Sequence, residues 1–293
     1  MQQRSPASVS PSARATSHSA GKHADQPTGA ARARRKAAAA KAEEQATGNP
    51  PAEAVEATLP QRQERPKRGP QGSGPVAAII IDDVGYSLEA LKPFLAVDAP
   101  LTFSVLPDRP RTSELVRELT RDGRCVMVHL PMEPLSKRTD LEPATIRVGM
   151  SRRDIQKAVA KALQAVPGAC GVNNHMGSRA TADRDVVEAV MEVVRDHGLF
   201  FVDSVTGSHS KIPQVARAMG VPVARRDVFL DADSPPSADT VAKRMAELGG
   251  VAVRNGAAIG IGHVRPATAD GIRNGLSALQ KRGVRLVPAA DLF

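Results

Sequence analysis

The sequence predicts an α/β fold: a distorted (β/α) barrel of about seven to eight parallel strands, preceded by a disordered N-terminal arm. Three observations lead there. From residue 76 onward, short apolar runs alternate with longer amphipathic stretches. Most of the runs are rich in Val, Ile or Phe, as strands buried on both faces require. Residues 1–75, by contrast, contain no Phe, Tyr, Trp or Ile, so they cannot bury enough apolar surface to offset chain entropy.

The chain therefore divides into a disordered basic arm, residues 1–75, and a folded part, residues 76–293, of a size that suits one domain. The arm carries 12 Lys and Arg against 6 Asp and Glu, so it accounts for +6 of the net charge of +9. A basic arm favours anionic surfaces or acts as a solvated tether. No aromatic residue accompanies its basic run at Arg32–Lys36, so no specific nucleic-acid site is expected. The sequence holds no apolar stretch of about 18 residues that would span a membrane, and no apolar signal segment at its start.

Strands are expected at 76–81, 101–106, 125–130, 171–174, 199–202, 221–224, 257–261 and 284–287. Helices are expected at 88–95, 112–121, 152–166, 185–197, 212–219, 238–251 and 269–282, where apolar residues recur every three to four positions. Ser151 and Thr181 are N-cap types before the third and fourth helices. Gly123, Gly198, Gly220 and Gly283 stand where a helix ends and a strand follows. Strands that alternate with helices imply a parallel sheet with both faces covered. A closed or nearly closed barrel is the first expectation and a doubly wound open sheet the second. No glycine-rich phosphate loop follows the first strand; Asp82-Asp83-Val84-Gly85 stands in its place, and two carboxylates would repel a phosphate.

Polar residues gather where these strands end. The first strand runs into Asp82-Asp83, the third into His129, the fourth into Asn173-Asn174-His175, the fifth into Asp203-Ser204 and the seventh into Gly262-His263. In a parallel β/α architecture all C-terminal strand ends open onto one face, which carries the active site. Several ionisable groups there need partners. A shared divalent cation supplies one, and imidazole with carboxylate suits zinc or a similar metal. A hydrogen-bonded polar network without metal is the alternative. With a metal, one aspartate of the pair can ligate while the other takes a proton from water, whose pKa zinc lowers from about 16 to about 7. His263 is placed to act as the acid.

Other polar residues have plainer expectations. Cys125 and Cys170 read as small core residues. His197 reads as a capping or surface residue, and His209 as a loop residue within possible reach of substrate. Arg225, Arg226, Asp227 and Asp231 flank the sixth strand and read as structural ion pairs.

The motifs carry a resemblance. Ala78-Ile79-Ile80-Ile81-Asp82-Asp83-Val84-Gly85 is similar to the first motif of the polysaccharide deacetylases. His129-Leu130-Pro131-Met132-Glu133-Pro134 resembles the second, with Glu133 where a second histidine stands. Together with Asn173 to Ser178, Phe201 to Ser204, Pro100 to Pro107 and Gly260 to His263, the set resembles the divergent polysaccharide deacetylase branch over residues 76–293. The resemblance implies a distorted barrel that removes acetyl groups from N-acetylated sugars with one divalent metal, zinc in first place. It implies Asp82 as base, His263 as acid and Asp203 as a further catalytic residue. Asp83 and His129 become metal ligands, with His175 supplying the missing histidine. Glu133, His209 and Asn174 remain candidates for metal or substrate contact. It further implies a polysaccharide or oligosaccharide substrate and a place at the cell envelope or periplasm, with the cytoplasm as the other expectation because no signal segment is seen in this sequence. The altered second motif keeps a rival open, a non-catalytic glycan-binding or envelope-assembly protein that retains the metal site.

Overall fold

In a computed structural model that describes residues 74–136 and 141–293, every strand pairing is parallel. The expected disordered arm lies outside the described residues, apart from Gly74 and Pro75. The strands are β1 (Val76–Val84), β2 (Thr102–Val105), β3 (Cys125–Met132), β4 (Gly171–Met176), β5 (Phe200–Asp203), β6 (Val223–Arg225), β7 (Val228–Phe229), β8 (Ala257–His263) and β9 (Arg285–Leu286). Between them run the helices α1 (Leu88–Leu95), α2 (Thr112–Arg121), α3 (Arg152–Ala165), α4 (Arg184–Asp196), α5 (Ile212–Ala218), α6 (Ala238–Asn255) and α7 (Pro266–Gln280).

The sheet order is β6-β5-β4-β3-β2-β1-β8-β7, and β9 pairs with the start of β1. The edge strands β6 and β7 are separated in sequence only by Arg226 and Asp227. At about 3.8 Å per residue, Arg225 and Val228 stand within about 11 Å of each other. Both edges of the sheet are thus tied together by a two-residue link, and the sheet must curl round. It is a curled parallel sheet whose hydrogen-bonded ladder stays open at β6/β7. The sequence expected the barrel curvature but read residues 221–224 as one strand. The additional short strand β7 pairs with β8 on the far side of that seam, which Arg226 and Asp227 cross.

The helix signals are mostly local and most hold. Ser151 caps α3 by accepting from Asp154 N–H. Thr181 does not cap α4, because it lies in a preceding 3-10 turn. Asp183, directly before the helix, accepts from Val186 N–H instead.

Two apolar layers form. The larger lies between sheet and helices and includes Ile79, Ile81, Val128, Val172 and Phe201. The smaller lies inside the curl: Ala78, Ile80, Met127, Phe200, Val202, Ile259 and Ile261, with Ala289. The chain's C-terminus packs against this inner layer, where Phe293 stacks on Phe200 at 4.1 Å. Strand side chains alternate between faces, so the inner columns continue toward the C-terminal ends. Ala78 and Ile80 lead to Asp82; Met127 leads to His129; Val202 leads to Ser204; Ile259 and Ile261 lead to His263. The interior is apolar at one end and polar at the other.

Candidate metal centre

Register delivers the polar residues to that end. Asp82 pairs with His263 across β1 and β8, and His129 pairs with Asn173 across β3 and β4, with Pro131 opposite His175. In a regular strand the neighbours Asp82 and Asp83 would face opposite sides. Here the β1/β2 register shifts between Ile81 and Val84, and Asp83 adopts a left-handed φ of 63°. Both carboxylates consequently reach one imidazole nitrogen: His129 Nε2 lies 3.6 Å from Asp82 Oδ2 and 3.3 Å from Asp83 Oδ1. Met176 (φ 53°), the last residue of β4, and Val205 (φ 54°), just past β5, are also left-handed. For a β-branched residue such as Val205 that conformation is strained, a state that clusters at functional sites.

Asp83, His129 and His175 form a triangle. Its sides are 3.3 Å from Asp83 Oδ1 to His129 Nε2, 3.0 Å from Asp83 Oδ1 to His175 Nδ1, and 3.1 Å between the two nitrogens. Ligand atoms about 2.0–2.1 Å from one tetrahedral ion stand about 3.3–3.4 Å from each other. The donor set and its spacing therefore fit a small divalent cation. A second observation agrees: Asp83 Oδ1 is buried with no hydrogen-bond donor on it.

Electrostatics point the same way. Burial alone would raise the Asp83 carboxyl, but the imidazoles of His129 and His175 close against it outweigh that and hold the group well below the usual carboxylate range. Burial would lower His129, yet Asp82, Asp83 and Asn173 together push it up to about 9. The paired carboxylates demand a positive charge between them, and a proton on His129 meets that demand where no cation does. Asp82 is different. Its burial outweighs the attraction of His129 and His263 and the bond from Asn173, so its carboxyl is raised.

Asn173 is the hub. Its Oδ1 accepts from His129 Nδ1 at 2.9 Å and from the Ser104 hydroxyl. Its amide donates to Asp82 Oδ1 at 2.8 Å and to Ser204 Oγ at 3.2 Å. With Nδ1–H engaged, His129 presents Nε2 as its free lone pair, the arrangement typical of a ligating histidine.

His263 stands on the other side of Asp82. Its Nδ1 is 2.9 Å from Asp231 Oδ1, and Asp231 Oδ2 accepts from His263 N–H (2.8 Å) and the Thr268 hydroxyl (2.7 Å). The β7/β8 register aligns Phe229 with Ile261, which carries Asp231 two residues later to His263. Burial would lower His263, but the bond and charge of Asp231 outweigh it and raise the imidazole. The sequence expectation of a structural ion pair at Asp231 is corrected: its main partner is the candidate acid. Its position past a short apolar pair was the same strand-end signal that marked the others.

The remaining candidates stand apart from the triangle. Asp203 has the opposite parity to Ser204; it accepts from Val205 N–H and faces Arg225 at 3.8 Å. Asn174 is spent on Ser204 N–H, the Met176 carbonyl and Thr206. Glu133 accepts from Val148 N–H and pairs with Arg179. His209 is exposed in a turn. His197 caps α4 through the Val193 carbonyl, as expected. A cavity of about 310 Å³ opens over the triangle, lined among others by Asp82, His129, His175, Arg226, Phe229 and His263. A second of about 260 Å³ adjoins it through Asp83 and His263 and is flanked by Tyr86 and Arg265.

A family model for divergent polysaccharide deacetylases matches residues 79–293. The chain belongs to that family. Among curated relatives, this family member is 40% identical over 191 residues to the uncharacterised protein YibQ of Escherichia coli K12, a match covering 65% of this chain and 59% of YibQ. It is 35% identical over 216 residues to an uncharacterised protein of Haemophilus influenzae Rd, covering 74% of this chain and 76% of that one. The crystal structure of an uncharacterised protein from Agrobacterium tumefaciens C58 superposes with a TM-score of 0.72 at 22% identity, over 77% of this chain and 93% of that chain. At that identity the likeness shows the fold alone; the family motifs of the chain lie on the strand ends described above.

Proposed function

We propose that this domain is a metal-dependent hydrolase that removes acetyl groups from N-acetylated sugars of an envelope polysaccharide. The observation that carries the reading is the placing of Asp82 on one side of the Asp83–His129–His175 triangle, with His263 beside it. Three ligands leave part of the coordination sphere open, as catalytic sites do and structural sites do not.

Asp83, His129 and His175 would hold the cation, which supplies Lewis acidity toward the acetyl carbonyl and a lowered pKa for water. Asp82 is the base. Burial raises its proton affinity, and Asn173 fixes one oxygen so that the other faces the site. It takes a proton from the attacking water. His263 is the acid. Asp231 occupies its Nδ1 and holds the imidazolium form, which leaves Nε2–H to protonate the sugar nitrogen as the C–N bond breaks. Water and amide become acetic acid and amine, the acid then giving its proton to the amine or to solvent, and the two protonation states exchange between Asp82 and His263. The flanking cavities, about 310 and 260 Å³, are of a size for single sugar rings in a chain. Zinc and the envelope location belong to this proposal.

The test is acetate release from N-acetylglucosamine oligosaccharides by the full chain with added zinc or cobalt, compared with Asp82→Asn. Metal-dependent release lost in Asp82→Asn supports the reading. Cation binding without release by the wild-type protein on these or other N-acetylated glycans sinks it in favour of a non-catalytic glycan-binding role.

A further inference from the structure

Nδ1 of His175 faces Asp83 and His129, so His175 would ligate through Nδ1. A neutral imidazole that offers Nδ1 carries its proton on Nε2. That proton needs an acceptor, because His175 is only 14% exposed and a buried donor without a partner is costly. His175 Nε2 is buried and makes no hydrogen bond in the structure, and the carboxylate oxygen paired with it is Glu142 Oε1, at 3.4 Å, itself 12% exposed.

Glu142 is held there from two directions. Arg109 donates to the same Oε1 at 2.7 Å. Arg109 in turn lies against Gly85, where a Cβ would fall 2.8 Å from the Arg109 side chain, and its guanidinium stacks 5.1 Å from the Tyr86 ring. The backbone after Glu142 is pinned to the end of β3: Ile146 N–H donates to the Pro131 carbonyl, and Glu133 N–H to the Ile146 carbonyl. Glu133 completes the clamp through its carboxylate on Val148 N–H, 2.8 Å. The glutamate that replaces the second histidine of the motif thus anchors the segment that carries Glu142.

We propose that Glu142 is a positioning residue: oriented by Arg109, it keeps the His175 proton on Nε2 and so turns Nδ1 toward the cation. It does for His175 what Asn173 does for His129. This rests on the metal reading above. Outer-shell acceptors of this kind are worth about 10–100-fold in metal affinity.

The test is a cobalt titration of the full chain followed by visible absorption, for wild type, Glu142→Ala, Glu142→Gln and His175→Ala. The expected result is a 10–100-fold weaker affinity with an altered cobalt spectrum for Glu142→Ala. Glu142→Gln, which retains an acceptor oxygen, should recover part of both. Thermal midpoints in chelator would show whether the variants stay folded. If Glu142→Ala does not fold, Arg109→Gln, which frees the carboxylate without removing it, should move affinity and spectrum in the same direction. Wild-type affinity and spectrum in a folded Glu142→Ala, or in Arg109→Gln where that variant stands in for it, overturn this proposal and leave the metal site standing. A wild-type protein that binds no cobalt overturns both.

Discussion

His175 Nδ1 and His129 Nε2 stand 3.1 Å apart and both face Asp83 Oδ1. Two lone pairs aimed at one another repel unless a proton or a cation lies between them. With His129 raised to about 9, the proton is there at pH 7 in the cation-free protein. Cation binding must expel it. Calorimetric titration at pH 7 in buffers of different ionisation enthalpy should therefore report release of about one proton per ion. A count near zero would contradict the charge state derived for His129.

The same shift makes the cation-free protein sensitive to alkali. The folded value of His129 lies above its ordinary 6.5. Its ion pairs thus stabilise the fold fully below about pH 6.5, and that contribution is lost as pH rises through about 9. In chelator, the thermal midpoint should fall between pH 6.5 and 10, and saturating zinc should flatten the fall. A midpoint indifferent to pH over that range would speak against the pairing.

Asp231 is buried against His263 and raises it. In Asp231→Asn the imidazolium loses its stabilising charge, so the alkaline limb of any acetate-release profile should move to lower pH. At neutral pH, kcat should fall by 10-fold or more, within the about 10²–10⁴-fold that a positioned acid supplies. NMR titration of His263 in both proteins gives a check independent of turnover: its pKa must drop in the variant.

Asn173 makes four side-chain hydrogen bonds in a fully buried setting. Asn173→Ala strands Ser104, His129 and Asp82 together, and each unsatisfied buried group costs about 1–3 kcal/mol. Urea denaturation should show a loss of at least about 2 kcal/mol with an unchanged m-value. Cation affinity should fall as well, because His129 loses the acceptor that fixes its tautomer.

Far from the site, α6 and α7 touch through glycine. A Cβ at Gly271 would lie 2.6 Å from the Ala238 carbonyl oxygen and within reach of Val241. Backbone cannot yield as a flexible side chain can, so Gly271→Ala should cost about 1–3 kcal/mol without altering cobalt binding. Unchanged stability would mean that the helices separate more readily than their packing implies.

By itself the sequence determined the alternation of strands and helices, the parallel sheet, and the identity of the residues at the C-terminal strand ends. Hydrophobic period and turn chemistry are local, and parallel topology sends every strand's end to one face, so Asp82, Asp83, His129, His175 and His263 were legible. Partner choice was not. Asn173 meets Asp82 across 91 positions and Asp231 meets His263 across 32; Glu142 reaches His175 from a segment without periodicity. Those meetings depend on sheet order, on register, and on the left-handed turn at Asp83 that brings two adjacent carboxylates to one imidazole. Aspartate tolerates such a turn better than most residues, but the local sequence does not specify it, and the packed surroundings decide where it forms.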